Sequence, residues 1–501
     1  MSSEGGIGRA FGLTFIAQLI LQLQGLVLLP IVIPRMGEAS YGAYVLVYIS
    51  LSQIFELTTS GIGYAYSRKL VSAPTAGERR RLFEPQFTVQ IIIFAVFSAV
   101  MLLAAGKTIE VESNVFVTTW LLVGFLAANF MSRQVLAFYR YTLRFLPYNL
   151  VLGGVPSLFL AMLLIGTALG HAPSVDTLLA LQTAAGIGVS LPLFWRIVRE
   201  IGLPRFRLQP RIVAADFRAG LPVTIGMIID FTLSFGDRYL ILLFLSVADV
   251  GRYQPAYQLA SVLLFLPRII GMILTPLVAR MVDLGNREES EHLLATAMRL
   301  FIMIAVPFAV GMMMVGPSFL GALTTVDVGI AGRRVLPIVA VAATFYGLTI
   351  LMGSVGVALN HLGRLLRADA LGMALNLGLN LALLPLLQDI SVAAATTLVG
   401  YAASTVYYFY LLRAHWRFQV EWGALLRFAV AASLMGAALW AMGYRPGTIA
   451  TISMLPLAGS IAAAVAIYFA ALSGLGGLGR RELAQIAGIM RSRAPELGNS
   501  S

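Results

Sequence analysis

The chain has 501 residues, of which 59% are apolar and 12% are charged, and it contains no Cys and 4 His. A typical soluble domain is about 45–50% apolar and about 25% charged, so this composition excludes an ordinary soluble enzyme, and the absence of Cys excludes disulfides and thiolate metal sites. The net charge of +12 falls between apolar runs, which is typical of membrane topology signals and argues against nucleic acid as a partner.

Apolar runs of about 20 residues, the length that crosses a bilayer, recur along the whole chain. The first run is longer than the apolar region of a cleavable signal peptide, so we expect it to stay in the membrane. The runs predict spans near 10–33, 41–63, 86–106, 115–138, 149–170, 175–195, 217–245, 253–281, 294–317, 335–359, 367–387, 390–413, 424–443 and 447–472. The sequence therefore predicts an all-α polytopic membrane protein with about 14 transmembrane helices.

Basic residues are unevenly divided between alternate loops. Arg79, Arg80 and Arg81 lie in one loop, and a series of Arg runs through the connection 196–218, whereas the loops on the other side carry few. The exception is the neighbouring pair Arg333 and Arg334. Because Lys and Arg accumulate on the cytoplasmic side, we expect both termini to be cytoplasmic.

An internal repeat divides the chain. Residues 39–48 and 248–257 both read A-x-x-G-x-Y-x-x-x-Y, each between the first and second helix of a predicted six-helix half. Six spans separate the copies, so the halves insert in the same direction. The sequence predicts two pseudo-symmetric six-helix lobes, two extra C-terminal helices and a tail, with bounds at 1–205, 206–420, 421–473 and 474–501.

The tail carries mixed signals. Its apolar and Arg residues favour an interfacial helix on the inner leaflet, with a solvated segment as the alternative. Gly474, Gly476 and Gly479 match G-x-G-x-x-G, but no strand precedes them, so the match indicates a linker. The sequence has no phosphate-binding-loop motif, and its few His are never paired at metal-ligand spacing. We therefore expect neither a nucleotide cofactor nor a metal site.

Charges within spans cost about 2.5–3.5 kcal/mol each on insertion scales, so they mark functional or structurally paired positions. Arg268 and Asp230 lie near the middles of their spans and are the leading candidates for a hydrated cavity, with a structural Asp–Arg pair as the alternative. Asp237 shares a helix face with Asp230, about 10 Å along the axis, which suits a proton or Na⁺ relay or salt bridges that switch partners. An interfacial position near the outer end of the span is the alternative for Asp237. Glu56 also lies within a span, and its role is open.

The other intramembrane cations have alternative explanations. Arg133 lies about five residues from the inner end of its span, so we expect it to reach the interface. Arg238 lies near the outer end, where an interfacial position is the alternative. Pro267 directly precedes Arg268, and a kinked helix with an Arg at the bend would suit a gated cavity.

Three stretches resemble the Wzx-type polysaccharide flippases of the multidrug/oligosaccharidyl-lipid/polysaccharide exporter superfamily. The first is LLPIVIPRMGEASYGAYVLVY at 28–48, which includes Arg35. The second, 219–260, carries an L-P start, D-R-Y and G-x-Y-x-x-A-Y. The third, 358–385, carries the N-x-x-x-N of Asn376 and Asn380. The likeness covers nearly the whole chain and rests on the order and spacing of these stretches.

The resemblance implies that the protein moves a polyprenyl-diphosphate-linked oligosaccharide across the bacterial inner membrane, for surface or exopolysaccharide biosynthesis. Transport would use alternating access of a cationic cavity between two lobes, lined by helices one, two, seven and eight. The substrate-binding candidates are Arg268, Arg238, Arg133 and Arg35, and the ion-coupling candidates are Asp230, Asp237 and Glu56. No catalytic residue is expected.

Without a nucleotide motif, the energy would come from an H⁺ or Na⁺ gradient or from the concentration difference of the lipid. The expected partners are the lipid-linked glycan, membrane lipid, a polysaccharide polymerase and glycosyltransferases. One alternative is an ion-coupled multidrug/cation antiporter of the same superfamily, which would favour acidic and aromatic cavity residues over Arg. Another is a membrane-embedded glycosyltransferase or ligase, which the short outer loops disfavour.

Overall fold

A computed structural model describes residues 3–71, 73, 75–105, 108–112, 115–359, 361–413, 416–417, 421–449 and 453–477. Long helices account for most of these residues, as expected where only self-satisfied backbone can cross lipid. The α-helices are α1 Ser3–Val71, α2 Ala76–Ala105, α3 Thr119–Tyr141, α4 Phe145–Ala168, α5 Val175–Ile201, α6 Pro210–Phe244, α7 Val247–Ala260, α8 Phe265–Asp283, α9 Arg287–Met314, α10 Gly316–Leu323, α11 Val326–Ala358, α12 Leu362–Leu387, α13 Ile390–Arg413, α14 Trp422–Ala441 and α15 Met454–Gly474.

The helices confirm an all-α membrane protein with about fourteen spans. Within the described residues, 13 helical segments are long and apolar enough to cross a bilayer, and the first of them, Gly12–Thr58, has 47 residues. A helix of that length would extend about 70 Å, more than twice the hydrocarbon thickness, so it supplies two spans. The two join at Gly37, whose φ of 79° and ψ of 170° break the helical conformation.

Two helices begin earlier than the apolar pattern predicted. α7, a 3-10 turn at Ser261–Leu264 and α8 form one continuous helical segment, Val247–Asp283. α11 begins at Val326, so the exposed Arg333 and Arg334 lie in its first turns. The short helix α10 precedes α11. Hydropathy alone does not detect a helix that extends beyond the lipid core. It therefore places the polar residues at these two helix starts in loops.

A small β-hairpin was not predicted. β1 (Thr108–Glu112) pairs antiparallel with β2 (Val115–Thr118), and Ile109 lies opposite Val117. The β-branched residues of both strands suit this conformation. The end of β2 is fixed to α5, because the Thr118 amide donates to Asp176 Oδ1 at 3.0 Å. The predicted span at 115–138 therefore begins a few residues too early, since α3 starts at Thr119.

Contacts group the chain into two compact units. We call Leu13–Gln258 with Asp369–Gly400 the first unit, and Met1–Gly12, Leu259–Ala368 and Tyr401–Ser501 the second unit. The lobe bounds predicted from the sequence, 1–205, 206–420 and 421–473, stay predictions. Of the tail 474–501, residues 478–501 lie outside the described part of the chain, so the predicted interfacial helix is not tested.

Each unit has an apolar interior. In the first unit, Phe83, Phe138 and Ile197 are among the fully buried residues that join α2, α3 and α5. In the second unit one core joins α8, α9, α11 and α13, and another packs α14 and α15 on α9. Large apolar side chains also face outward, among them Leu103 at 87% and Leu455 at 84% exposed. A helical bundle with such an exterior is suited to lipid.

The two copies of the sequence repeat contact each other within the first unit. A Cβ on Gly42 would lie 2.1 Å from the Val247 carbonyl oxygen, and a Cβ on Gly251 would lie 1.9 Å from that of Glu38. Only glycine allows this backbone approach. Arg252 reinforces the contact through an ion pair with Glu38. The repeated glycine therefore marks the crossing of α1 and α7.

Candidate functional site

A buried polar cluster lies within the first unit, around two adjacent charged residues of α6. Asp237 and Arg238 are both 0% exposed. Their polar neighbours come from three other helices: α7, α12 and α13. A buried charge is stable in an apolar bundle only when neighbouring groups pair with it or form hydrogen bonds with it. The two charges of this cluster therefore depend on the polar residues around them.

The Asp237 carboxylate is surrounded by hydrogen-bond donors. Tyr253 Oη donates to Oδ2 at 2.8 Å, and Thr397 Oγ1 lies 2.7 Å from the same oxygen. The side-chain amides of Asn376 and Asn380 approach Oδ1 at 3.5 Å and 3.4 Å. Two short and two longer contacts from three helices stabilise an ionised carboxylate.

The Arg238 guanidinium is enclosed by aromatic rings. Its Nε donates to Gln254 Oε1 at 2.9 Å, and its Nη1 donates to the Ser234 carbonyl at 2.7 Å. The guanidinium carbon lies 3.9 Å from the ring centroid of Tyr257 and 5.2 Å from that of Tyr253. Such cation–π contacts, together with the neighbouring carboxylate, stabilise the buried cation.

Two atoms of the cluster have no hydrogen-bond partner among the described residues: Arg238 Nη2 and Asn380 Oδ1. The Asn380 side-chain amide nitrogen contacts the Asp237 carboxylate, so Asn380 Oδ1 is an acceptor close to it. Thr397 Oγ1 is a further oxygen in contact with the same carboxylate. A carboxylate with amide and hydroxyl oxygens is the kind of set that a hard cation prefers. The described residues contain no group of three or more His, Cys, Asp or Glu that would hold a transition metal.

A second intramembrane charge pair joins α1 to α3. Arg133 Nη1 forms an ion pair with Glu56 Oε2, and Nη2 donates to the Ser52 carbonyl at 3.3 Å. The sequence indicated an Arg133 that reaches the interface from near the end of its span. Instead, α3 continues to Tyr141, so Arg133 lies eight residues, or about 12 Å, from that end and pairs within the bundle.

The remaining predicted residues lie apart from these groups. Asp230 is exposed in the first unit, although Asp237, two turns further along α6, is completely buried. Arg268 is exposed in the second unit and follows the 3-10 turn at Ser261–Leu264, so the helix is irregular where Pro267 predicted a bend. Arg35 is exposed, and its Nη1 donates to the Ile31 carbonyl of its own helix.

Several members of the buried cluster were not predicted as site residues. Asn376 and Asn380 were noted only as a family-like N-x-x-x-N, although two amides one turn apart in an apolar helix indicate a shared polar face. In the sequence, Tyr253 and Tyr257 belong to the repeat and to the family-like G-x-Y-x-x-A-Y, and neither pattern indicates a contact with a charge. Thr397 had no distinguishing signal, because Thr is common in membrane helices and its partner is 160 positions away in sequence.

Residues 7–283, more than half of the chain, match the family described as "Polysaccharide biosynthesis protein". The chain belongs to this family. Membership confirms the predicted resemblance to a polysaccharide biosynthesis family. The sequence matches no curated protein.

Several solved structures share the fold of this chain. One is the lipid II flippase MurJ in an inward closed conformation, with a TM-score of 0.70 and 12% identity over 92% of this chain and 98% of that chain. Another is an inward-facing multidrug resistance MATE transporter of the MOP superfamily, with a TM-score of 0.60 and 14% identity over 80% and 94%. A MATE transporter of Vibrio cholerae matches with a TM-score of 0.53 and 16% identity over 81% of this chain and 98% of that chain. These likenesses show the fold of a multi-pass transporter.

Proposed function

We propose that this protein moves a polyprenyl-diphosphate-linked oligosaccharide from the inner to the outer leaflet of the bacterial inner membrane, for surface or exopolysaccharide biosynthesis. The match to the polysaccharide biosynthesis family carries this proposal, because it covers more than half of the chain. The likeness to a lipid II flippase, at a TM-score of 0.70, supports a lipid-linked substrate. On this proposal both termini are cytoplasmic, and a polymerase and glycosyltransferases act on the same glycan.

The chemistry of the substrate requires an unusual interior. A diphosphate and a series of sugar hydroxyls cannot enter hydrocarbon without losing hydrogen bonds to water, each at a cost of several kcal/mol. The protein would supply a wet, cationic path while the polyprenyl chain stays in lipid. Of the predicted substrate-binding candidates, Arg268, Arg133 and Arg35 are at least partly exposed. A planar guanidinium suits them for phosphate because it binds two oxygens at once.

Arg238 has a different place in the proposal. It is completely buried and held by Gln254, Ser234 and two tyrosine rings, so it balances the charge of Asp237 and does not contact the headgroup in this conformation. Asp237, Asn380 and Thr397 then offer oxygens to Na⁺, or the carboxylate accepts a proton, and either event would couple an ion gradient to movement of α6, α12 and α13. Asp230 and Glu56 are the other ion-coupling candidates.

An ion-coupled multidrug/cation antiporter is the second candidate function. The likeness to MATE transporters favours it, as does a buried carboxylate that could exchange one cation for another. The two functions differ in the charge of the cargo. A flippase needs exposed cations along its path, whereas an antiporter of organic cations needs exposed carboxylates.

The experiment replaces Arg268 in cells that depend on this protein for surface polysaccharide. Arg268→Ala is expected to abolish surface polysaccharide while the protein still inserts and accumulates. The matched control is Arg280→Ala, an exposed Arg about 18 Å further along the same helix, which is expected to leave polysaccharide unchanged. Normal polysaccharide with Arg268→Ala would contradict the proposed role. Loss of drug resistance with intact polysaccharide would favour the antiporter.

A further inference from the structure

The Glu56–Arg133 pair lies away from the ends of the two helices that carry it. Arg133 is close to the centre of α3, Thr119–Tyr141, and Glu56 is close to the centre of the part of α1 that follows the break at Gly37. A charge within an apolar span is stable when it is paired or borders water. Both charges therefore depend on each other and on what surrounds them.

The pair is nevertheless partly open. The side chain of Arg133 is 30% exposed and that of Glu56 is 35% exposed. Charged groups within a span face the bundle interior or a water-filled space and avoid lipid. We therefore infer that the open side of this pair borders water, in contrast to Asp237 and Arg238, which are enclosed on every side.

The geometry of the guanidinium resembles phosphate recognition. Nη1 binds the Glu56 carboxylate and Nη2 donates to the Ser52 carbonyl, so two acceptors on successive turns of α1 occupy both terminal nitrogens. A phosphoryl group presents two oxygens to the same fork and carries more charge than one carboxylate. A partly exposed ion pair is weak, so exchanging one acceptor for another costs little.

We propose that Glu56 is a substrate-displaced partner that occupies Arg133 in the empty transporter, and that a diphosphate exchanges with Glu56 for the guanidinium. This proposal rests on the proposed function for the identity of the headgroup. It makes Arg133 a binding residue and Glu56 a competitor for the same cation. The consequence is specific: removing the charge of Glu56 should strengthen diphosphate binding, whereas a purely structural pair would predict no gain.

The experiment measures the binding of inorganic pyrophosphate and of farnesyl diphosphate to the purified full-length protein by thermal shift and by calorimetry. Glu56→Gln is expected to bind both probes more tightly than the wild type, by roughly three- to tenfold, where tenfold corresponds to about 1.4 kcal/mol. Arg133→Gln is expected to weaken binding at least tenfold. Arg133→Lys keeps the charge and the folded protein but loses the two-nitrogen fork, so several-fold weaker binding is expected.

The matched control is Glu421→Gln, which releases Arg299 from a similar Glu–Arg pair elsewhere in the chain. It should leave pyrophosphate affinity unchanged, and sulfate at equal ionic strength should not reproduce the effect. Weaker or unchanged binding by Glu56→Gln would overturn the proposal, as would unchanged binding by Arg133→Lys. If Glu56→Gln binds farnesyl diphosphate more tightly but pyrophosphate as the wild type does, the gain in affinity comes from the lipid chain and not from Arg133. That result would also overturn the proposal.

Failure of the proposed function gives a different pattern. If Glu56→Gln strengthens diphosphate binding but the wild type does not move a lipid-linked oligosaccharide, the exchange stands and the proposed function fails. If the wild type moves the oligosaccharide but the variants at Glu56 and Arg133 bind as the wild type does, only the exchange fails.

Discussion

Replacing Asp237 by Asn tests whether the buried cluster holds an ionised carboxylate. Asn has nearly the same shape, but it presents one acceptor and one NH₂ group where Asp237 presents two acceptors. Whichever way the amide turns, either Tyr253 and Thr397 or the two amides of Asn376 and Asn380 would face a donor. The substitution also leaves the Arg238 guanidinium without its adjacent negative charge.

The expected magnitude follows from the burial of both charges. Hydrogen bonds to a charged group contribute about 1.5–3 kcal/mol each. Tyr253 and Thr397 each form a short hydrogen bond with Asp237, so we expect Asp237→Asn to lower the free energy of unfolding by about 3–6 kcal/mol. Adding Arg238→Gln should cost less than the sum of the single changes, because it removes the uncompensated cation.

The assay is reversible unfolding in mixed detergent micelles, followed by circular dichroism. Asp283→Asn is the matched control, since it makes the same chemical change at an exposed position at the end of α8. It should alter the free energy of unfolding by less than about 0.5 kcal/mol. Equal unfolding of wild type and Asp237→Asn would refute the ionised, hydrogen-bonded carboxylate inferred from the geometry.

The remaining predictions concern the repeat contact and the ion. Gly251→Ala should lower the free energy of unfolding by about 1–3 kcal/mol, because its Cβ would lie 1.9 Å from the Glu38 carbonyl oxygen. Gly63→Ala is the control, because its Cβ would meet no atom within 4 Å, and thermal unfolding measures both variants. NaCl should raise the unfolding temperature of the wild type above its value in choline chloride, and Thr397→Val should abolish the difference. A Thr397→Val protein that keeps the full difference between the two salts would place the ion elsewhere.

The number and order of the spans could be predicted from the sequence because the bilayer requires a recognisable apolar run at each crossing. Each crossing needs a continuous apolar run of about 20 residues, and the backbone within it has to be helical. The strands at 108–112 and 115–118 could not be predicted in this way because, at 5 and 4 residues, they are shorter than any such run. The early start of α11 escaped because Arg333 and Arg334 interrupt the apolar pattern without interrupting the helix.

The candidate site could be predicted only in part. The cost of charge in lipid marks Asp237, Arg133 and Glu56 as positions that need an explanation. Their partners could not be found in the same way, because Arg133 meets Glu56 across 77 positions and Asp237 meets Asn380 across 143. Helical periodicity places a residue on a face of its own helix, but it carries no information on which distant helix packs there.

The most direct test of the central claim is translocation by the purified protein in proteoliposomes. The cargo is a fluorescent polyprenyl-diphosphate-linked oligosaccharide in one leaflet, and its arrival in the other leaflet is followed by accessibility to a membrane-impermeant quencher. We expect wild-type protein to move this lipid, Arg280→Ala to match it, and Arg268→Ala to remain at the rate of protein-free vesicles. Wild-type vesicles that exchange an organic cation for Na⁺ or H⁺ but leave the lipid-linked oligosaccharide in its original leaflet would contradict the account.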